Sequence, residues 1–178
     1  MTTVEPAVRR PLAPTSELGA EVWMWLTDEA ELLDRRALRP WLDRLDPQIR
    51  YLMPARATVH RADGDGTFST NHHFDETYGS LTTRVRKLAE ATNFAEDPPS
   101  RTRRFVTNIR VYAGPGDDVT ASSYLLLLRS RGDAANLEVL SCERNDLFRR
   151  HDDGLKLLRR DITLDQSTLG LVHLGVLL

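Results

Sequence analysis

The side chains best suited to metal binding in this 178-residue sequence are five histidines, His60, His72, His73, His151 and His173, and a single cysteine, Cys142. Only His72, His73 and Asp75 stand close enough together to offer the two-histidine, one-carboxylate set that holds a mononuclear oxygenase iron with open positions. Neighbouring residues on a strand point to opposite faces, so that set works only if the segment is a loop. The plainer reading makes Asp75 the cap of a following helix. The same stretch offers acid–base chemistry. Asp75, His73 and Tyr51 would supply a base and a donor if they converged in a cavity, where burial raises a carboxyl pKa toward neutrality. The competing expectation leaves Tyr51 in the core and the other two in solvent. Cys142 lies in a strand-like pattern and reads as a small buried hydrophobe.

Arg101, Arg103 and Arg104 form a basic cluster. No aromatic platform is interleaved with it, and the formal net charge is -2 from 24 basic and 26 acidic side chains. A nucleic-acid partner is therefore not expected. Two readings remain: a solvated strand edge, or pairing with carboxylates of the same or a neighbouring subunit, which suits the arginine fork. On a strand Arg101 and Arg103 share a face and Arg104 takes the other. Trp23, Trp25 and Trp41 read as core or interface aromatics, with Trp25 on the apolar face of a helix and Trp23 off it.

These residues need elements to position them. Hydrophobic residues make up 40% of the chain, enough for one domain with a real core. Residues 1–14 read as a flexible arm and 15–178 as a single α+β domain. Thr15 is a candidate N-cap for a first helix whose Leu18, Val22, Trp25, Leu26, Ala30 and Leu33 share a face. A short second helix is predicted from Pro40, carrying Trp41, Leu42 and Leu45. Residues 49–59 read as a strand bent at Pro54, and 60–70 as a loop. Phe74, Tyr78, Leu81, Val85 and Leu88 step as one face of a third helix. After residue 100 the period changes to two. Phe105, Thr107, Ile109 and Val111 alternate with Arg104, Val106, Asn108 and Arg110, and three further strands follow, separated by Gly-Asp and Asp-Gly turns. Helices followed by an antiparallel meander predict a curved sheet folded around the helices. Leu125, Leu126, Leu127 and Leu128 run without alternation, so both faces of that strand are expected to be covered, one of them by a partner. No apolar run reaches the roughly 20 residues of a membrane span, no secretory leader is evident, and one cysteine fits a reducing cytoplasm.

The segment Ala95-Glu96-Asp97-Pro98-Pro99-Ser100-Arg101-Thr102-Arg103-Arg104-Phe105-Val106-Thr107-Asn108-Ile109 resembles the most distinctive stretch of the small, β-type subunits of aromatic-ring-hydroxylating (Rieske-type) dioxygenases. Further blocks fall in that family's order. They are Glu29-Ala30-Glu31-Leu32-Leu33-Asp34, Trp41-Leu42, the run from Ile49 through Tyr51 and Pro54 to Arg56, Phe74-Asp75-Glu76, Arg84-Val85, Arg129-Ser130-Arg131, Glu143-Arg144, Asp146 and the run from Gly154 to Arg160. The tail from His173 to Leu178 departs from the family's usual ending.

The resemblance implies a cone of the nuclear-transport-factor-2-like type and assembly as α3β3, while the leucine run from Leu125 to Leu128 leads to the expectation that the chain associates with itself as a trimer. It also implies that the [2Fe–2S] Rieske cluster and the mononuclear iron belong to the α subunit, fed from NAD(P)H through an electron-transfer chain. A Rieske cluster needs two cysteines and two histidines, more thiolate than this sequence holds. The expected role is structural, in an enzyme that converts an aromatic compound to a cis-dihydrodiol, with no catalytic, cofactor or metal residue in this chain. The rival expectations are a stand-alone cone-fold isomerase, dehydratase or cyclase, or a partnerless binding module. The enzymatic one rests on fold analogy.

Overall fold

A computed structural model describes residues 10–56, 68–89, 99–114, 116–133, 135–167 and 175–178, without the side chains of 68–70. Its elements run α1 (Glu17–Asp34), α2 (Leu38–Leu42), β1 (Leu45–Arg56), β2 (Phe68–Thr77), α3 (Tyr78–Ala89), β3 (Arg101–Ala113), β4 (Val119–Ser130), β5 (Glu138–His151) and β6 (Gly154–Leu164). Helices lead and a long sheet follows, as the change of period predicts. No helix among the described residues is long and apolar enough to cross a membrane. The expected arm falls mostly outside the described residues, but Leu12 donates its N–H to the Val111 carbonyl at 2.8 Å and packs against the core.

Ser16 caps α1, one residue later than expected. Its Oγ accepts from the Gly19 N–H at 3.2 Å and satisfies one of the orphan donors of the first turn. The predicted apolar face is the buried one, with Val22, Trp25, Leu26, Ala30 and Leu33 inside. The Trp25 ring meets Phe148 edge-on at 4.8 Å, and its N–H donates to the Leu155 carbonyl at 3.0 Å. Helix α2 starts at Leu38 rather than Pro40, which places the proline within the first turn, where no backbone N–H is needed.

The six strands form one sheet in the order β2-β1-β6-β5-β4-β3. All neighbours are antiparallel except β1 and β6, which run parallel. The sheet is therefore mixed, whereas the meander in the sequence predicts a purely antiparallel one. The chain goes from β2 at one edge to β3 at the other, and the antiparallel meander from β3 to β6 then returns until β6 lies beside β1 in the same direction.

Phe74 is a correction. The helical stripe through Phe74, Tyr78, Leu81, Val85 and Leu88 is broken: Phe74 lies on β2, opposite Met53 of β1, and the helix begins only at Tyr78. Both elements send apolar groups into the same core, where Phe74, Leu81 and Val85 are buried, so the stripe continues across the junction. Thr77 and Ser80 mark the true start. The Thr77 N–H donates to Ser80 Oγ at 2.8 Å, and that hydroxyl donates to the Thr77 carbonyl at 3.1 Å. Asp75 is accordingly a strand residue and caps nothing.

Strand β3 differs from its predicted alternation in one respect. Phe105 and Thr107 face outward, while Ile109 and Val111 face inward. Between them the register against β4 shifts: Thr107 pairs with Tyr124 and Arg110 with Ser122, so two residues oppose Ser123 alone. Asn108 takes φ 54°, a conformation asparagine tolerates better than most side chains. The bulge flips the parity of the strand. Up to it, Arg104 and Val106 face in; beyond it, Ile109 and Val111 do.

The four leucines of β4 do alternate in burial. Leu125 and Leu127 are each 1% exposed, whereas Leu126 is 40% exposed. Leu127→Ala should cost about 2–5 kcal/mol, in the range for emptying a buried leucine site. Leu126→Ala should change the stability of the chain by no more than about 0.5 kcal/mol. Urea unfolding of the two variants side by side checks this; equal losses would contradict the assigned facing of β4.

Candidate functional site

The inner face of the sheet carries charge as well as carbon. On β5, Leu140, Cys142, Arg144, Asp146 and Phe148 share the buried parity. On β6, Leu155 and Leu157 face in. The register then shifts where Leu147 pairs with Arg159 and Phe148 with Leu157, and Arg160, Ile162 and Leu164 take over the inward positions. From α1, Glu29 projects among the apolar residues with no exposed surface.

These groups meet at the centre of the molecule. Glu29 Oε1 accepts from Arg160 Nη1 at 2.7 Å and from the Trp41 indole N–H at 3.1 Å. Its Oε2 accepts from Arg160 Nη2 at 2.9 Å and Arg144 Nη1 at 3.2 Å. Arg160 also forms a two-pronged pair with Asp146, 2.8 Å on each prong, and Nη1 reaches the Leu178 carbonyl at 2.9 Å. Arg144 Nε donates to Ser123 Oγ at 3.2 Å. Tyr51 closes the cluster: its hydroxyl accepts from the Leu178 N–H at 2.8 Å and donates to the Leu178 carbonyl. Val176, Leu177 and Leu178 are buried beside it.

Burial alone would push the Glu29 carboxyl up. The charges of Arg160 and Arg144, with the hydrogen bonds from Arg160 and Trp41, outweigh it and hold the group below the usual carboxylate range. Arg160 is likewise penalised by burial, but Asp146 and Glu29 raise it well above the usual arginine value. Arg144 moves the other way, lowered by burial and by the like charge of Arg160 against the pull of Glu29 and Asp146. An arginine stays protonated throughout, so the cluster is a set of fixed charges. Burial pushes the Tyr51 phenol up to about 12 and the Cys142 thiol up to about 11, so neither is poised as a base or nucleophile.

The residues expected to do chemistry are not brought together. Tyr51 and Phe74 face the core, their ring centroids 6.2 Å apart. Asp75 follows Phe74 on β2 and faces the other way, exposed, 2.5 Å from Arg50 Nη2. His73 shares that outward side and His72 is exposed. The base-and-donor trio therefore does not converge. Among the described residues no group of three or more His, Cys, Asp or Glu is placed to hold a metal. His151 lies 2.9 Å from Asp46 through Nε2. His60 and His173 lie outside the described residues.

The arginine cluster on β3 separates into three roles. Arg101 is used within the chain, donating to Ser130 Oγ at 3.1 Å and the Gly132 carbonyl at 2.7 Å. Arg103 is exposed. Arg104, on the inward parity, pairs with Asp34 of α1 at 2.5 Å and donates to the Leu177 carbonyl at 2.6 Å. Trp25 and Trp41 are buried, and Trp23 is half-exposed.

The central cluster was not singled out from the sequence as a site, although Glu29, Arg144, Asp146 and Arg160 all lie in blocks that carry the resemblance. The readable signal was parity: a charged residue at the position where a strand's alternation calls for an apolar one.

A profile described as the ring-hydroxylating β subunit matches residues 28–170. The β subunit of the chlorobenzene dioxygenase of Cupriavidus sp. strain PS12 is 32% identical over 91% of this chain and 89% of its own length. The benzene 1,2-dioxygenase β subunit of Pseudomonas putida is 31% identical over the same shares. Among solved structures, naphthalene 1,2-dioxygenase with indole bound in its active site superposes with TM-score 0.81 at 25% identity, covering 89% of this chain and 84% of the other. The architecture is the α+β cone that the resemblance implies.

Removing one member of a buried ion pair strands its partner's charge, so Glu29→Gln should destabilise the chain by about 3–5 kcal/mol at pH 7. The pH dependence has a definite sign. Glu29 has a lower pKa folded than unfolded, so it stabilises the fold fully above its ordinary value of 4.5 and loses that contribution as pH falls through the folded value. The wild-type thermal midpoint should fall on acidification below about pH 4.5 more steeply than that of Glu29→Gln. Parallel acid profiles for the two proteins would show that Glu29 is not the group responsible.

Proposed function

The chain belongs to the ring-hydroxylating dioxygenase β subunits, and on that premise we propose that it is a non-catalytic assembly subunit of an aromatic-ring dioxygenase. A β subunit of this kind implies an α partner. The arrangement proposed is three α with three β chains. The reaction of the complex is addition of both atoms of O₂ to an aromatic ring to give a cis-dihydrodiol. The α subunit would hold the Rieske [2Fe–2S] cluster and the mononuclear iron, with electrons supplied from NAD(P)H through an electron-transfer chain. The donor set here does not fit either centre. The one cysteine is buried with its thiol pKa raised, and no two-histidine, one-carboxylate set forms among the described residues.

One observation carries the assembly role. The polar groups that point into the cone are used on each other, Arg144 Nη2 apart: Glu29, Arg144, Arg160, Asp146 and Tyr51 bond among themselves and to Leu178, with Val176 to Leu178 packed beside them. A cone-fold isomerase, dehydratase or cyclase needs polar groups converging on open space, and the trio that would have supplied them is split, with Tyr51 buried on β1 and Asp75 facing outward on β2. The outward face of the sheet, by contrast, is apolar where a partner could cover it. Phe105 lies opposite Leu126, Leu128 lies opposite Val139, and Tyr124 stands alongside; Phe105, Tyr124, Leu126 and Val139 are each 40–50% exposed. We assign this face to self-association as a ring of three, the closed symmetry that matches α3β3.

The isolated chain supplied with ferredoxin, reductase and NAD(P)H should form no dihydrodiol, and activity should appear when the α subunit is added. Dihydrodiol produced by this chain alone would overturn the assignment. Light scattering should find a trimer of about 60 kDa, three chains of 20.2 kDa each. Leu126→Glu should shift the mass toward that of the monomer. A wild-type monomer at tens of micromolar would remove the sheet face as a self-contact.

A further inference from the structure

A cleft of about 360 Å³ opens between α1 and β3, lined by Arg104 and Val106 from the inward parity of the strand and by Arg103 from the outward one. Strand β3 is the last strand of the sheet, so no further strand lies beyond it. Ala30 and Val106 give the cleft apolar lining, and Arg35, Arg103 and Arg104 bring three guanidinium groups against the carboxylates of Glu31 and Asp34, which leaves one positive charge over. The two acids are already committed. Glu31 pairs with Arg35 at 2.6 Å, and Asp34 with Arg104 at 2.5 Å while also accepting from the Arg104 N–H at 2.9 Å and Thr102 Oγ1 at 3.0 Å. Two sets of donors remain. Arg104 Nε is buried without a hydrogen-bond partner. Arg103 is exposed and makes no hydrogen bond or ion pair among the described residues. Trp23, half-exposed, stands one turn before Thr27 on the α1 stripe that borders the cleft, so apolar surface lies next to the charge.

We propose that this cleft is where a carboxylate side chain of the α subunit docks, held by Arg103 over the buried Arg104, whose unpaired N–H adds to the positive field there, with an apolar neighbour against the Trp23 turn. The proposal rests on the β-subunit reading above and names the surface that reading leaves open. A carboxylate is the group that matches the surplus charge and supplies acceptors to the planar arginine fork. The apolar sheet face already offers copies of this chain a contact of different chemistry, so the charged cleft is assigned to the unlike partner.

The test is retention of the α subunit of the same dioxygenase by the tagged, full-length chain at low and high salt. Arg103→Glu should reduce retained α at least tenfold at low salt, and high salt should weaken the wild-type complex toward the same level. Arg103→Gln should give an intermediate loss. Arg110→Glu, a matched charge reversal on the outward face of the same strand beyond the bulge, should retain α as the wild type does. Because Arg103 has no partner among the described residues, Arg103→Glu should keep the wild-type thermal midpoint and α-free oligomer mass. If Arg103→Glu retains α fully, the cleft is not the docking site and the β-subunit reading stands. If Arg110→Glu loses α equally, general charge and not this cleft is responsible. A fall in the α-free oligomer mass of Arg103→Glu would make a second copy the occupant. Failure of the wild-type chain to retain α would overturn both the proposal and the reading beneath it.

Discussion

The fold turns on Glu29, a carboxylate buried with no exposed surface between two arginines from different strands. A lone ion in that position would cost many kcal/mol, and only close opposite charges with full hydrogen bonding make it tolerable. That requirement fixes geometry. The α1 helix must present Glu29 at the height of Arg144 on β5 and Arg160 on β6, Trp41 must bring its N–H from α2, and Asp146 must stand on the other side of Arg160. Apolar packing alone would permit small slides of the helix over the sheet. The ion cluster permits fewer, because each slide would break several charge-assisted bonds at once. Such pairs contribute more to specificity than to free energy in several known cases.

The sheet shows how the same constraint reaches its edges. Two bulges, at Asn108 on β3 and near Leu158 on β6, reset the inward parity so that Arg104 and Arg160 point into the protein while the apolar residues on the far side of each bulge do so as well. Without the β6 shift, a strand that buries Leu155 and Leu157 would turn Arg160 to the outside. The irregularities therefore serve the charged centre, and they lie in strands whose other pairs are regular.

Much of this was legible in the sequence. The α1 stripe, the burial of Trp25 and Cys142, the split of Arg101 and Arg103 from Arg104, and the general order of helices before strands all follow from period and facing. Three things were not. Phe74 continued a helical stripe by coincidence, because strand β2 and helix α3 feed one core. Asn108 looked like one more position in an alternation, and nothing local reveals an extra residue in a bulge. The ion cluster joins residues 115 and 131 positions apart, so no window of local sequence contains it. Charged residues at inward positions of β5 were visible as breaks in an apolar alternation, and such breaks mark places where a distant partner must exist. The burial of Val176 to Leu178 had no signal beyond their apolar character, since their bonds to Tyr51, Arg104 and Arg160 use backbone atoms.

That last contact bears on how the chain is made. Translation delivers Glu29 first, then Tyr51 and Arg104, and only much later Arg160 and finally Leu177 and Leu178, whose carbonyls accept from the two arginines. While the ribosome is still short of residue 160, the helix end of the cluster carries a carboxylate whose two-pronged partner does not yet exist. Until residue 178 is out, Tyr51 and Arg160 lack an acceptor that completes their burial. The interior cannot dry out early, because drying it would trap unpaired charge. Completion of the charged centre thus waits for the segment from Arg160 to Leu178, and a product cut short before it carries a wet, open core of the kind that quality-control proteases recognise.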